Sequence, residues 1–111
     1  MVKPLILIDE AEQDVADAYA WYEEQRPGLG DDCLAAIRTA TKRVQAEPHV
    51  HLRVQGEIQR LLVERFPYSV LYREESDRVV VIAVFHAKRD PNIWKKRAWA
   101  NAAVIVVGTV W

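Results

Sequence analysis

Two stretches in the second half of the chain decide the fold, Arg65-Phe-Pro-Tyr-Ser-Val-Leu-Tyr72 and Val79-Val-Val-Ile-Ala-Val-Phe-His86. Both are rich in β-branched and aromatic residues, as strands are, and the polar segment Glu74-Glu-Ser-Asp77 separates them. Because residues 79–85 are apolar at every position, this strand is expected to lie inside a sheet with both faces covered. A small antiparallel sheet is therefore predicted.

The sequence before these strands supplies the rest of the sheet. Residues 58–65 form a third strand-like run, which predicts a three-stranded antiparallel meander of residues 58–65, 68–73 and 78–86 after an irregular segment at 48–57. Near the N-terminus, Leu5-Ile-Leu-Ile8 has the length and composition of one further strand.

Between the first strand and the meander, the hydrophobic period is that of two helices. The first has an apolar stripe with Asp14 largely outside it, and Asp9 is expected to cap its N-terminus together with Glu12. Arg26-Pro-Gly-Leu-Gly30 breaks this helix, and a second one follows until Pro48. The predicted stripes are Ala11, Val15, Ala18 and Tyr22 in the first helix, and Leu34, Ile37, Thr41 and Val44 in the second. The short connection predicts an antiparallel helix hairpin.

The C-terminal part is expected to contain a short basic helix at residues 92–100 and an apolar tail at 102–111. The tail is suited to an edge strand or to covering a groove, and the sequence does not decide between them. The predicted fold class is α+β, with a domain at residues 1–97 and a C-terminal tail at residues 98–111. A chain of 111 residues has room for one modest core.

Composition and charge narrow the function classes. Half of the residues are hydrophobic and 28% are charged, which is typical of a globular protein. Residues 1–59 carry a net charge of −5 and residues 60–111 one of +4, so any anion site is expected on the sheet. The single cysteine and the lack of a leader pattern indicate a cytoplasmic protein with no membrane segment. One cysteine and three histidines without ligand spacing predict no metal, and no cofactor is expected.

The order of these elements resembles that of the RelE/ParE superfamily of toxins from type II toxin-antitoxin modules. The resemblance covers residues 3–97 and is closer to the ParE branch. It rests on five segments taken together: Ala20-Trp-Tyr22, Gly28-Leu-Gly30, Arg65-Phe-Pro-Tyr68, Val70-Leu-Tyr72 and Val84-Phe-His-Ala-Lys-Arg-Asp-Pro91.

The resemblance implies a bacterial toxin that a cognate antitoxin, a small DNA-binding protein, neutralises in a hetero-oligomer. RelE-like members are ribonucleases that cut messenger RNA in the ribosome, whereas ParE-like members poison DNA gyrase without being enzymes. For a nuclease, the expected site is His86 as acid or base, with Arg60, Arg65 and Arg89 binding phosphate and with Tyr72 or Lys88 assisting. For a lone histidine at the end of a strand, the favoured alternative is a structural role in which His86 closes that face with a backbone hydrogen bond.

Three features favour the gyrase-poison alternative. The chain is slightly acidic, the aromatic residue that closes many RelE-like chains has no counterpart after His86, and the segment from Phe85 to Pro91 with Trp94 looks ParE-like. The predicted target-binding surface is the basic rim formed by Lys88, Arg89, Trp94, Lys95 and Lys96, provided that Trp94 is exposed there and not packed on the core. A degenerate toxin that binds antitoxin and poisons nothing is a third alternative.

Overall fold

The computed structural model describes residues 2–100, with side chains described for residues 2–98. In chain order, the elements are β1 (Leu5–Leu7), α1 (Asp9–Gln25), α2 (Leu29–Ala46), a 3-10 turn (Pro48–Val50), β2 (Leu52–Gln55), β3 (Ile58–Leu62), β4 (Tyr68–Glu74), β5 (Val79–His86) and α3 (Asn92–Ala100). The fold is α+β, as the sequence predicts.

The strands form one five-stranded sheet in the order β1-β5-β4-β3-β2. β1 pairs parallel to β5, with Leu5 opposite Val79, whereas the remaining neighbours are antiparallel. β5 thus lies between β1 and β4, and all of its residues except His86 are buried. The prediction of an internal, covered strand is confirmed.

The two helices form the predicted hairpin, which packs on the sheet. Ala11, Val15 and Ala18 of α1 are buried, as are Ile37 and Val44 of α2. At about 25 cal/mol per Å² of apolar surface removed from water, such stripes are the main reason that the hairpin stays on the sheet.

The predicted cap of α1 is wrong. Ile8 occupies the N-cap position, no side chain caps the helix, and Asp9 is already its first helical residue. The chain enters α1 directly from β1, which leaves Asp9 one position too late to cap. At the N-terminus of α2, by contrast, a carboxylate does accept backbone hydrogen bonds. The side chain of Glu23 in α1 accepts them from the N–H groups of Gly28 and Gly30 at 3.0–3.1 Å. Gly28 has φ +90°, a value that favours glycine.

The segment predicted to be irregular at 48–57 contains the 3-10 turn and the strand β2, so the antiparallel part of the sheet has four strands instead of three. β2 is short and mostly exposed, which removes the alternating hydrophobic signal that marks a strand. β3 also ends at Leu62, three residues before the predicted boundary. Arg65 has φ +71°, and the chain turns there toward β4.

The predicted basic helix is present as α3 and packs against β5. It runs past residue 97, where the domain boundary was placed. Trp94 is 7% exposed and belongs to the core. The predicted tail at 102–111 lies outside the described residues.

Candidate functional site

A buried carboxylate joins the helix hairpin, the sheet and the C-terminal helix. Asp14 of α1 accepts two hydrogen bonds from Arg97 of α3, at 2.6 and 3.1 Å, and one from Arg89 at 3.2 Å. It also accepts the backbone N–H of Val84 at 3.0 Å. Arg97 in turn donates to the carbonyl of Ile82 at 3.2 Å. One acidic side chain therefore holds α3 against β5.

Asp14 was predicted to lie outside the apolar stripe of α1, and that prediction is wrong, since the residue is 5% exposed. Its position carried a signal: it follows Ala11 by three residues and precedes Ala18 by four, so it shares their helix face. A charged residue on a buried face requires a partner of opposite charge. The arginines that meet this need lie more than 70 residues away in the sequence, and only the tertiary structure identifies them.

The first of two cavities beside this carboxylate has a volume of about 460 Å³ and is called the hairpin-side cavity. Aromatic side chains line it: Tyr22 contacts Trp21 edge-to-face at a ring-centroid distance of 4.9 Å, and Tyr68 contacts His86 in the same way at 5.1 Å. Burial raises the pKa of the Tyr68 phenol to about 12, so this hydroxyl stays protonated at neutral pH. The cavity therefore has an aromatic lining to which Asp14, Asp17 and Arg89 add charged groups.

The second cavity, of about 210 Å³, lies on the other face of the sheet and is called the sheet-face cavity. Phe85 lines it, whereas the preceding residue Val84 lines the hairpin-side cavity, because successive strand residues point to opposite faces. Its polar members are Arg60, Ser69, His86 and Arg89; its apolar walls are Val54, Leu71, Phe85, Ala87, Pro91 and Trp94.

His86 lines both cavities, and its hydrogen bonding limits what it can do. Its Nδ1 accepts the backbone N–H of Lys88 at 3.0 Å. In the neutral imidazole, the proton therefore sits on Nε2, which is a donor. A ring whose acceptor nitrogen is already occupied has no free lone pair with which to take a proton from a hydroxyl. In this arrangement the Nδ1 atom of His86 is engaged by the backbone, which leaves Nε2 as its donor.

The structure divides the residues of the predicted nuclease set. Arg60, His86 and Arg89 line the sheet-face cavity together, but Arg65 lies in a different cavity of about 260 Å³, beside Asp32 and Arg43. Arg89 is paired with Asp14 and lies over the ring of Phe85, with its guanidinium carbon 4.6 Å from the ring centroid. Tyr72 is fully buried, with its hydroxyl donating to the carbonyl of Pro48 at 2.6 Å.

The predicted target-binding rim is only partly at the surface. Lys88 and Lys96 are exposed, whereas Lys95 is half-buried with its ammonium 5.9 Å from the centroid of the Trp94 ring. Trp94 packs back on the core, the alternative in which it is no exposed anchor. Within the described part of the chain, no three His, Cys, Asp or Glu side chains are grouped to hold a metal ion. None of the described helices is long and apolar enough to cross a bilayer.

Comparison with a solved structure supports the fold. The "Chromosomal ParDE TA system from P. aeruginosa" superimposes with a TM-score of 0.71 at 16% sequence identity, over 78% of this chain and 98% of that one. The fold is thus that of a small α+β chain found in a toxin-antitoxin system.

Sequence comparison gives the family. The family model described as "ParE toxin of type II toxin-antitoxin system, parDE" matches residues 5–91. Toxin ParE2 of Mycobacterium tuberculosis is 24% identical over 93 residues in strains CDC 1551 / Oshkosh and ATCC 25618 / H37Rv, covering 83% of this chain and 89% of the relative. The chain belongs to the ParE toxin family of type II toxin-antitoxin systems, and the predicted resemblance to the ParE branch is confirmed.

Proposed function

We propose that this ParE-family toxin inhibits DNA gyrase, blocks replication by stabilising the cleaved DNA complex, and is neutralised by a cognate antitoxin. The family supports a toxin with an antitoxin partner. Gyrase as the target is supported by one structural observation, which is that among the described residues Arg65 lies apart from His86 and the Nδ1 atom of His86 is already hydrogen-bonded.

Cleavage of RNA next to a 2′-hydroxyl needs a base for that hydroxyl, an acid for the leaving oxygen and cations for the charge that develops on phosphorus. The acceptor nitrogen of His86 is occupied by Lys88, and Arg65 lines a cavity away from His86. Arg89 is already bound to Asp14. This arrangement favours inhibition through a protein surface over RNA cleavage.

The surface offers two regions for such contacts. The accessible part of the basic rim consists of Lys88, Arg89 and Lys96, and we place the contact with gyrase at the two lysines because Arg89 is paired with Asp14. At the other end of the sheet, β2 is an edge strand that pairs only with β3 among the described strands, and Leu52 and Leu62 beside it are about 60% exposed. An open edge with exposed apolar side chains supports covering by a protein partner, the proposed antitoxin.

The decisive experiment combines a purified and a cellular assay. The purified toxin is expected to inhibit supercoiling by gyrase and to raise the amount of cleaved DNA trapped with detergent. In growing bacteria, induction should lower DNA synthesis before protein synthesis, as measured by separate pulse labels. An early fall in translation with cleaved messages, while gyrase remains active, would refute the proposal in favour of the nuclease.

Two variants sharpen the test. His86→Ala is expected to retain gyrase inhibition within about twofold, because the imidazole takes no part in the proposed mechanism. Replacing Lys88 and Lys96 together by Gln should weaken inhibition about tenfold through lost charge contacts. The exposed pair Lys42 and Arg43 on α2, changed to Gln, is the matched control and should leave inhibition unchanged. If the wild-type toxin neither traps gyrase nor slows growth, the chain is a degenerate toxin.

A further inference from the structure

Arg60 of β3 is a half-buried cation without a counter-ion. It lines the sheet-face cavity, and within residues 2–98 its guanidinium has neither a hydrogen bond nor an ion pair. Other half-buried arginines are paired: Arg78 with Glu75 at 2.8 Å, and Arg97 with Asp14. Because burying a charge is unfavourable unless it is paired, an unpaired arginine facing a cavity indicates a ligand of opposite charge.

The other residues around the cavity reinforce this indication. His86 and Arg89, the latter paired with Asp14 from the other side, also line the cavity, and none of the described side chains that line it is acidic. Residues 101–111, which lie outside the described part, contain no Asp or Glu either. The sheet-face cavity is therefore a local positive region in a chain whose net charge is −1.

The polar groups of the cavity are suited to one small anionic group at the end of a short aliphatic chain. Arg60 has five N–H donors, the hydroxyl of Ser69 can donate, and the Nε2–H of His86 is a donor in both of its charge states. The aliphatic part of such a ligand would pack against the apolar walls of the cavity, which are formed by Val54, Leu71, Phe85 and Trp94. In such surroundings a charge-assisted hydrogen bond is stronger than one made in open water.

We propose that the sheet-face cavity receives the carboxylate of a glutamate or aspartate that the antitoxin inserts, with Arg60 as the recognising residue. The inference rests on the proposed function, since it takes the antitoxin as the partner, and it specifies the chemistry of that contact. An antitoxin segment lying along the open edge of β2 can reach the cavity, because Val54 of β2 forms part of its wall.

A protein carboxylate fits better than the phosphate of a nucleic acid for two reasons. The volume of about 210 Å³ lies below the range of roughly 300–1,000 Å³ that is usual for small-molecule sites, and it suits a single side chain. In addition, α1 carries seven acidic residues and no basic ones, so a polyanion approaching the chain would be repelled by the hairpin. A single carboxylate next to apolar residues meets less of this repulsion.

The first test uses peptides on the full-length toxin. Acetyl-Leu-Glu-Leu-amide should shift the NMR signals of the His86 ring and the Trp94 indole with a millimolar Kd, while the glutamine-containing peptide should bind at least tenfold more weakly. Arg60→Gln should abolish this difference, and the charge-retaining Arg60→Lys should keep part of it. The exposed neighbour Arg53→Gln on β2 is the matched control and should bind like wild type.

Equal binding of the two peptides, or no binding of either, would overturn the inference. So would tighter binding of uridine monophosphate than of the glutamate peptide, because it would assign the cavity to a phosphate. Circular dichroism of Arg60→Gln and Arg60→Lys establishes that each variant is folded before its binding is measured.

The second test separates this inference from the proposed function. The protein encoded beside the toxin gene is titrated against gyrase inhibition by wild type and by Arg60→Gln. Arg60→Gln should inhibit gyrase as wild type does but need roughly 10- to 100-fold more antitoxin for neutralisation. Unchanged neutralisation, with wild type inhibiting gyrase, overturns the inference alone. If wild type does not inhibit gyrase while the glutamate peptide still binds through Arg60, the gyrase proposal fails and the carboxylate site stands.

Discussion

Replacement of Asp14 by alanine is the perturbation with the largest expected effect on stability. The carboxylate is 4% exposed, and its main partner Arg97 is only 12% exposed. Four hydrogen bonds end on it, three from arginines and one from the backbone of Val84. Without the carboxylate, the mostly buried Arg97 loses its partner at 2.6 Å, and the Val84 N–H loses its acceptor.

Removing one partner of a buried ion pair destabilises a protein by about 3–5 kcal/mol, because the other charge remains buried. A domain of this size has a free energy of unfolding of roughly 5–15 kcal/mol, so Asp14→Ala should lose a large fraction of it. At roughly 4 °C per kcal/mol, Tm should fall by about 12–20 °C. Asp14→Asn keeps an acceptor for the Val84 N–H, so its free energy of unfolding should fall by less, roughly 2 kcal/mol.

Urea unfolding followed by circular dichroism at 222 nm measures these losses. Asp17→Ala, one turn further along α1 and exposed, is the control and should change stability by less than about 0.5 kcal/mol. In the double variant Asp14→Ala with Arg97→Met, the loss of stability should be smaller than the sum of the single losses, because the two residues contact each other and are removed together. A loss below about 1 kcal/mol for Asp14→Ala would refute the assigned role of the carboxylate.

Three further predictions follow from the packing. In Gly30→Ala, the new Cβ would lie 2.7 Å from the carbonyl oxygen of Tyr19, so urea unfolding should show a loss of about 1–3 kcal/mol from overpacking at the helix turn. Burial raises the pKa of the Cys33 thiol to about 11 from 9.0; its contribution to stability is complete below pH 9 and is lost as pH rises toward 11. Stability measured from pH 8 to 11 should therefore fall less steeply in Cys33→Ala than in wild type, and equal slopes would contradict this. Trp94→Ala should lower the free energy of unfolding by about 3–5 kcal/mol because it empties a core position, whereas a loss below about 1 kcal/mol would mean that the indole is at the surface.

The elements that were predicted correctly are those whose signal is local and strong. The uninterrupted apolar run of β5 and the helical stripes of α1 and α2 identify these elements because burial requires apolar residues at fixed spacing. The family could also be recognised, since short segments such as Gly28-Leu-Gly30 and Val84-Phe-His86 keep their order along the chain. The strand β2 was missed because a short, exposed edge strand has no buried face to impose a pattern.

The candidate site was predicted less well, because a site depends on distances between residues remote in sequence. His86 and Arg89 were identified and do lie together, but Arg65 turns away into another cavity. Asp14 was missed altogether, although it organises the contact between α3 and β5. Arg60 is one of several cations in the predicted nuclease set, and only the structure shows that it is half-buried, lines the sheet-face cavity and has no ion pair within residues 2–98.

The sequence by itself determined the class of fold, the helix hairpin, the internal strand and the superfamily, because periodicity and turn residues act over a few positions. The tertiary structure alone decided that Trp94 is buried, that the Nδ1 atom of His86 accepts a backbone hydrogen bond and that one carboxylate binds two arginines. These outcomes depend on which side chains meet across the sheet. Such meetings are set by strand register and helix packing over the whole chain, and no local pattern encodes them.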